Sequence, residues 1–435
     1  MINISDKHNC CGCSACSSIC PKHCITMQAD NEGFLYPKVN ETDCIDCGLC
    51  EKVCHELHPF DEKMPLKAYA VMNRDERIRM KSSSGGVFYQ LAKKTIDNGG
   101  VVFGARFDEK WQVVIDYAEE MKGVEDFMGS KYVQARMGSA YTDAKRFLTE
   151  GRLVLFTGTP CQIAGLHHFL RKDYENLVTV DFICHGTPSP KVWERYLEET
   201  VQAGKRLSCV EFRNKQKGWK QFSFHLVYNQ AHDSVSLIAP FSENVYMQGF
   251  LSDLILRPSC YACKAKAGRS HSDMTIADFW GIDQVNSSMD DDKGTSLVLL
   301  NSPKGADFMD LEQMNCAETS YYDAVAHNTS HRVSVAPHAK RAKFFRLLDK
   351  RPSVSALITD TLKYSLYRRI RIKLGWLKQI IFRMLLNRRA GGYLEDKNHP
   401  SEQYLTIPNQ AQIVAISFRN KQKGWKDYEI EIELK

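Results

Sequence analysis

The chain has no run of about 20 apolar residues, the length a helix needs to cross a bilayer. Its opening, MINISDKHNCC, has no apolar signal-peptide core. Neither G-x-G-x-x-G after a strand nor G-x-x-x-x-G-K-[S/T] occurs, so no Rossmann or P-loop nucleotide signature is present. A broad excess of base is also lacking. Residues 361–394 hold nine Lys and Arg and no acid, which exceeds the whole net charge of +6, so the rest of the chain is net acidic. That excludes a general nucleic-acid binder. With 435 residues, 43% hydrophobic and 25% charged, the composition suits a globular protein of two or three domains.

Cysteine is what the chain has in excess. Sixteen cysteines in an unsecreted chain read as metal ligands in a reducing cytoplasm rather than as a disulfide framework. Ten precede residue 55, and two runs share one spacing: Cys10-x2-Cys13-x2-Cys16-x3-Cys20-Pro21 and Cys44-x2-Cys47-x2-Cys50-x3-Cys54. This is the bacterial two-cluster 4Fe–4S pattern, in which each run's fourth Cys ligates the other cluster. The first cluster then takes Cys10, Cys13, Cys16 and Cys54, and the second takes Cys44, Cys47, Cys50 and Cys20. Two zinc knuckles divide these runs poorly, because zinc takes four ligands in a tetrahedron. Cys11 and Cys24 fall outside the spacing and are expected not to be ligands. Residues 1–57 form a small ferredoxin domain, with two short strands around a turn at Asn31-Glu32-Gly33.

A linker at 55–66 leads to a larger domain over 67–345. Strand signals (KAYAVMN, VVFGARF, RLVLFTG, LVTVDFI) alternate there with helices expected at 86–97, 139–149, 162–171 and 190–203, which argues for a mixed α/β fold. A hairpin around SCVEFRN and QFSFHLVY follows, then buried strands in DMTIADFWG and TSLVLLN. In KSSSGGVFYQLAKK the serines and glycines open a helix, as a plain N-cap or as an anion cradle. Lys131 in MGSKYVQA is either a phosphate or flavin contact or a solvated lysine. Cys161 sits near a helix start, where the dipole favours a thiolate. Cys184 ends an apolar strand, and RPSCYACKAK adds Cys260-x2-Cys263. These four make either a third 4Fe–4S site or two separate thiols with a zinc half-site.

The loops SSSGGVFYQLA, GSKYVQ, FTGTPCQIAGL, DFICHGTPSP, CYACKAK and SDMTIADFWG, in that order, resemble the beta subunit family of coenzyme F420 hydrogenase/dehydrogenase. The resemblance runs from residue 1 to about 300. It implies an FAD-binding α/β domain with iron–sulfur clusters, and it favours the third cluster on Cys161, Cys184, Cys260 and Cys263. It also implies that Ser83, Ser84, Gly85, Gly86, Lys131 and Thr159 surround FAD. His185, beside Cys184, is then either a proton donor, a hydrogen-bond donor to a cluster sulfur, or structural. The expected function is an iron–sulfur flavoprotein oxidoreductase passing electrons between clusters, FAD and a small-molecule or protein acceptor. An electron-transfer partner subunit without its own substrate pocket and an iron–sulfur sensor are the alternatives.

Two features lie outside this scheme. A basic segment within 355–390 reads as an amphipathic helix over 361–389, suited to peripheral membrane contact, to packing on the flavin domain, or to docking a partner. The nonapeptide FRNKQKGWK occurs at 212–220 and again at 418–426, in a tail spanning 399–435. Each copy is flanked by alternating residues and is expected to form a hairpin. Arg213, Lys215 or Trp219 of the first copy either faces the flavin or its substrate or belongs to a plain surface hairpin, and the second copy is expected to be a fragmentary duplication.

Overall fold

The computed structural model describes residues 1–201, 205–230, 233–363 and the strands 413–420 and 428–434. Met1–Thr361 form one compact unit and Leu362–Lys435 a second.

In the first unit the N-terminal segment carries an antiparallel pair, β1 (Ile25–Ala29) and β2 (Leu35–Val39), joined across a turn with Gly33 at φ 88°. The larger part is built on eight strands: β3 (Lys67–Asn73), β4 (Val101–Phe107), β5 (Val113–Ala118), β6 (Val154–Thr157), β7 (Leu177–Phe182), β11 (Met274–Asp278), β12 (Ser296–Leu300) and β13 (Met314–Thr319). Their order is β13-β3-β12-β11-β7-β6-β4-β5. The centre, β4-β6-β7-β11, is parallel, and both flanks are antiparallel. Parallel strands need both faces covered, which is why Val154-Leu155-Phe156 and Leu177-Val178 are apolar throughout rather than alternating. A separate three-stranded sheet holds β8 (Arg206–Asn214), β9 (Ser223–Gln230) and β10 (Asp233–Pro240).

Helices at Val87–Asp97, Ala140–Thr149, Pro160–Leu170 and Pro190–Thr200 lie within a few residues of the expected spans. The third begins two residues early because Pro160 occupies its first turn, where a missing N–H costs nothing. On one face of the large sheet Val101, Phe103, Val154 and Phe156 pack with Tyr141, Phe147, Ile163 and Leu166. Ala15 and Val53 of the cysteine-rich segment enter that same cluster, so the segment is packed into the larger core. The close approach depends on Gly165, where an added Cβ would stand 3.0 Å from Cys13 Sγ and 2.7 Å from the Tyr141 hydroxyl. The unit closes with helices Arg341–Leu348 and Val354–Leu362, which bury Phe344, Leu348, Val354 and Ile358.

In the second unit β14 (Ile413–Asn420) and β15 (Tyr428–Leu434) pair antiparallel, so the FRN of each nonapeptide ends the first strand of a hairpin. The expected basic helix lies outside the described residues beyond Lys363. Among the described residues no helix is long and apolar enough to cross a membrane.

Candidate redox site

The two ferredoxin-type runs fold so that the cysteines mix across the runs. Cys20 joins Cys44, Cys47 and Cys50 around one small pocket. Cys10 and Cys54 lie close enough to Cys16 to raise its thiol, which burial, the larger cause, helps push up to about 12. Short helices supply the tight loops: Ser14 and Gly48 both take left-handed backbone at the residue preceding Ala15–Ile19 and Leu49–Lys52. Ile2 N–H donates to Cys50 Sγ at 3.3 Å. Cys11 and Cys24 are not remote from the sulfur sites. Cys24 shares that small pocket, 3.4 Å from Cys20 Sγ, and Cys11 lies near enough to Cys13 and Cys161 for both to act on its thiol.

A cavity of about 710 Å³ opens at the carboxyl ends of β6, β7 and β11. That edge is where parallel α/β sheets bind ligands, because the loops leaving the strands diverge there. Cys161, Cys184, Cys260, Cys263 and His185 all line it, as do Ser83, Ser84, Gly86, Lys131 and Thr159. Cys11, Gly12 and Glu56 of the ferredoxin segment contribute to the same wall.

Gly85 does not line the cavity. Its N–H donates to Ser296 Oγ at 2.9 Å, and a Cβ there would meet the Val71 carbonyl. The serines do not cap the following helix either. Gly86, at φ 85°, takes the cap position without a side-chain bond. Ser82 Oγ donates to the Ile78 carbonyl and Ser84 Oγ to the Thr295 carbonyl, while Ser83 Oγ pairs with Ser130 Oγ. Lys131 is half-buried and folds back on its own loop: Nζ donates to the carbonyls of Asp126, Met128 and Gly129 at 2.8, 2.8 and 3.2 Å. Burial pushes its pKa down to about 7.

Thr159 caps the Pro160–Leu170 helix in a reciprocal box with Gln162, and its hydroxyl lies 3.2 Å from Cys161 Sγ. The lowered thiol pKa expected for Cys161 at a helix start is reversed. The hydrogen bond with Cys11 and then burial push it well above the ordinary range. Burial, and then neighbouring thiols, also raise Cys184 and Cys263, the latter to about 12. Thr187 N–H and hydroxyl face Cys260 Sγ at 3.4 and 3.6 Å. His185 Nε2 is 2.7 Å from Asp253 Oδ1, and its ring meets Phe250 edge-on.

The first FRNKQKGWK copy builds another wall. Arg213 pairs with Asp278 at 2.6 Å and lies over Phe222 and Trp280. Trp219 donates to Asp278 Oδ1 at 2.7 Å and stacks on Trp280 with centroids 4.7 Å apart. Lys215 turns away from the cavity, donating to the carbonyls of Arg79, Ser84 and Lys293, and thereby ties the serine loop to the hairpin. Sequence reasoning missed Asp181, a cavity residue whose Oδ1 has no partner among the described residues and whose pKa burial raises to about 6. Nothing in LVTVDFI distinguishes it from a surface acid. Asp278 and Trp280 lie inside SDMTIADFWG and were legible in principle.

Residues 151–327 match the C-terminal family of the coenzyme F420 hydrogenase/dehydrogenase beta subunit. Residues 9–56 match the 4Fe-4S dicluster domain. The chain joins these two. It is an iron–sulfur, electron-transfer, oxidoreductase-like chain of mixed α/β fold. No curated protein matches it. Among solved structures, the F420-reducing [NiFe] hydrogenase complex from Methanosarcina barkeri contains a similar chain, at 15% identity. That match covers 69% of this chain and 90% of that one, with a TM-score of 0.39.

Proposed function

We propose that this chain is an iron–sulfur flavoprotein oxidoreductase that passes electrons between the ferredoxin clusters and FAD held in the large cavity. Cys161, Cys184, Cys260 and Cys263 would hold a third 4Fe–4S cluster, which would supply one-electron chemistry. One observation carries this reading: those four cysteines share a cavity wall with Cys11 and Gly12 of the ferredoxin segment and with the Ser83–Gly86 and Lys131 loops.

Among the described residues no three His, Cys, Asp or Glu side chains are already arranged around one metal ion, so the fit rests on the donor chemistry of the lining. Buried thiols with raised pKa values stay protonated until a metal displaces the proton, and metal ligation overrides that preference. Asp181 and Arg213 line the cavity and add polar groups to its largely apolar wall. Bound FAD would supply the exchange between two-electron and one-electron chemistry, and the protein's part is to orient and tune it.

Ser83, Ser84 and Gly86 form the phosphate side of the site, with Lys131 stiffening its own loop so that its N–H groups keep one direction. Thr159 acts through Cys161, as helix cap and as a hydroxyl neighbour of the sulfur. Asp253 fixes the His185 ring, leaving Nδ1 as its other proton site at the cavity. Tyr132, Phe222, Phe241, Phe250 and Trp280 keep the opposite wall apolar and limit water.

Anaerobic reconstitution followed by iron, sulfide and flavin analysis tests the whole proposal: about twelve iron atoms and one FAD per chain are expected. About eight iron removes the third cluster, and absence of flavin removes FAD. The match to a beta-subunit family favours a second reading, a partner subunit that accepts electrons from another polypeptide and has no substrate of its own. Small-molecule reduction by the isolated chain would dismiss it.

A further inference from the structure

Three arginines are buried among the described residues: Arg79, Arg213 and Arg257. Arg79 pairs with Asp291 and Arg213 with Asp278, as a charge removed from water requires. Arg257 is 0% exposed and makes no ion pair with a carboxylate among the described residues. It stands on the loop that leads into Cys260 and Cys263, and its side chain crosses into the ferredoxin segment. Nε donates to the Cys10 carbonyl at 2.8 Å, Nη1 to Gln134 Oε1 at 2.9 Å and Nη2 to the Leu35 carbonyl at 2.9 Å. Nη2 also lies 3.5 Å from Cys10 Sγ. The guanidinium sits 4.3 Å from the Tyr36 ring centroid, and Gly12 passes so close that a Cβ would stand 2.8 Å from Nη1.

The fork is thus fixed by neutral acceptors, and the sulfur of Cys10 is the one thiolate-forming atom it touches. Glu56 is near enough to feel the charge but does not pair with it. A purely structural arginine gains nothing from facing a thiol in place of a carboxylate.

We propose that Arg257 sets the reduction potential of the ferredoxin cluster ligated by Cys10. The inference rests on the assignment of Cys10, Cys13, Cys16 and Cys54 to one cluster. Reduction adds one negative charge to the cluster. A buried cation that no carboxylate pairs with favours that charge, and an N–H···S bond draws electron density from the ligand sulfur. Both effects raise the potential of this cluster selectively. Among the described residues Cys20, Cys44, Cys47 and Cys50 have no equivalent: Cys47 is exposed, and the hydrogen bond to Cys50 Sγ comes from a backbone amide.

The test is an EPR-monitored potentiometric titration of the full, reconstituted chain, with dithionite as reductant, for the wild type, Arg257→Lys and Arg257→Met. In Arg257→Met one ferredoxin signal should shift to more negative potential while the other stays in place, at unchanged iron content. Arg257→Lys, which keeps the charge but loses the fork, should shift the same signal by less. Two unshifted signals, or two that move equally, would overturn the proposal. Should Arg257→Met lose iron, Arg257→Lys decides: one shifted signal supports the role and none refutes it. Cys10→Ser separates the two layers of inference. It should perturb the same signal that Arg257 controls. If it perturbs neither, the ligand assignment fails rather than the role of Arg257.

Discussion

The two sets of cysteines in this chain are organised by different means. Those between Cys10 and Cys54 are local: tight loops and one-turn helices bring them together, and the sequence spacing states the arrangement. Cys161, Cys184, Cys260 and Cys263 are spread over about a hundred residues and carry no shared spacing. They meet because β6 and β7 are parallel neighbours whose outgoing loops leave the same sheet edge, while a turn at Pro258–Ala262 folds across it. A local set can assemble on a small domain. A scattered set exists only once the sheet has formed, so its integrity should depend on the larger core.

The sharpest way to break the comparison is to delete one sulfur from each set. Cys20→Ala should abolish one ferredoxin signal, and Cys161→Ala should remove about four iron atoms while leaving both ferredoxin signals intact. Iron analysis with EPR reads both, and full iron in Cys161→Ala would end the third-cluster proposal. A smaller effect comes from the wall that joins hairpin to sheet. Asp278→Ala strands the buried Arg213 charge and takes the partner from Trp219, and should cost about 3–5 kcal/mol in urea unfolding. A loss below about 1 kcal/mol would mean that the pair behaves as a solvated one.

A third test uses pH. His331 is buried, and burial, followed by Arg332 and Lys266, pushes its pKa down to about 4. The folded chain therefore binds this proton less readily than the unfolded chain, whose His titrates near 6.5. The contribution is present above about pH 6.5 and is lost as pH falls toward 4, amounting to at most about 3 kcal/mol. His331→Gln should flatten the fall in stability over that window, and an unchanged slope would show that His331 does not carry it. The smallest effect is expected at the other end of the chain. Truncation after Ala390 should leave iron and flavin content unchanged, and loss of FAD would give the second hairpin a role.

Much of the fold was legible. The runs VVFGARF and LVTVDFI are apolar at nearly every position, as strands covered on both faces must be. The strands that went unread lie at margins. In β13, Met314 is the one buried side chain, and β10 is an outer strand bearing exposed Leu237 and Ile238. Such strands are held by backbone pairing, which leaves little trace in residue type. The serines illustrate another limit. Ser82, Ser83 and Ser84 read as a helix cap or an anion cradle, yet their hydroxyls go to the Ile78 carbonyl, to Ser130 and to the Thr295 carbonyl, and Gly86 takes the cap position without a side-chain bond.

The sequence by itself determined the ferredoxin segment, because sulfur spacing over four to ten residues leaves the chain few ways to turn. It also determined that a mixed α/β core follows, because strand and helix periods differ. Only the tertiary structure decided that four distant cysteines, the serine loop, the Lys131 loop and the first FRNKQKGWK copy share one cavity. It alone decided that Arg257 crosses from the Cys260 loop to Cys10. Those relations are set by strand order and by how the ferredoxin segment packs on the sheet, and nothing along the chain encodes a distance between residues that meet only through folding.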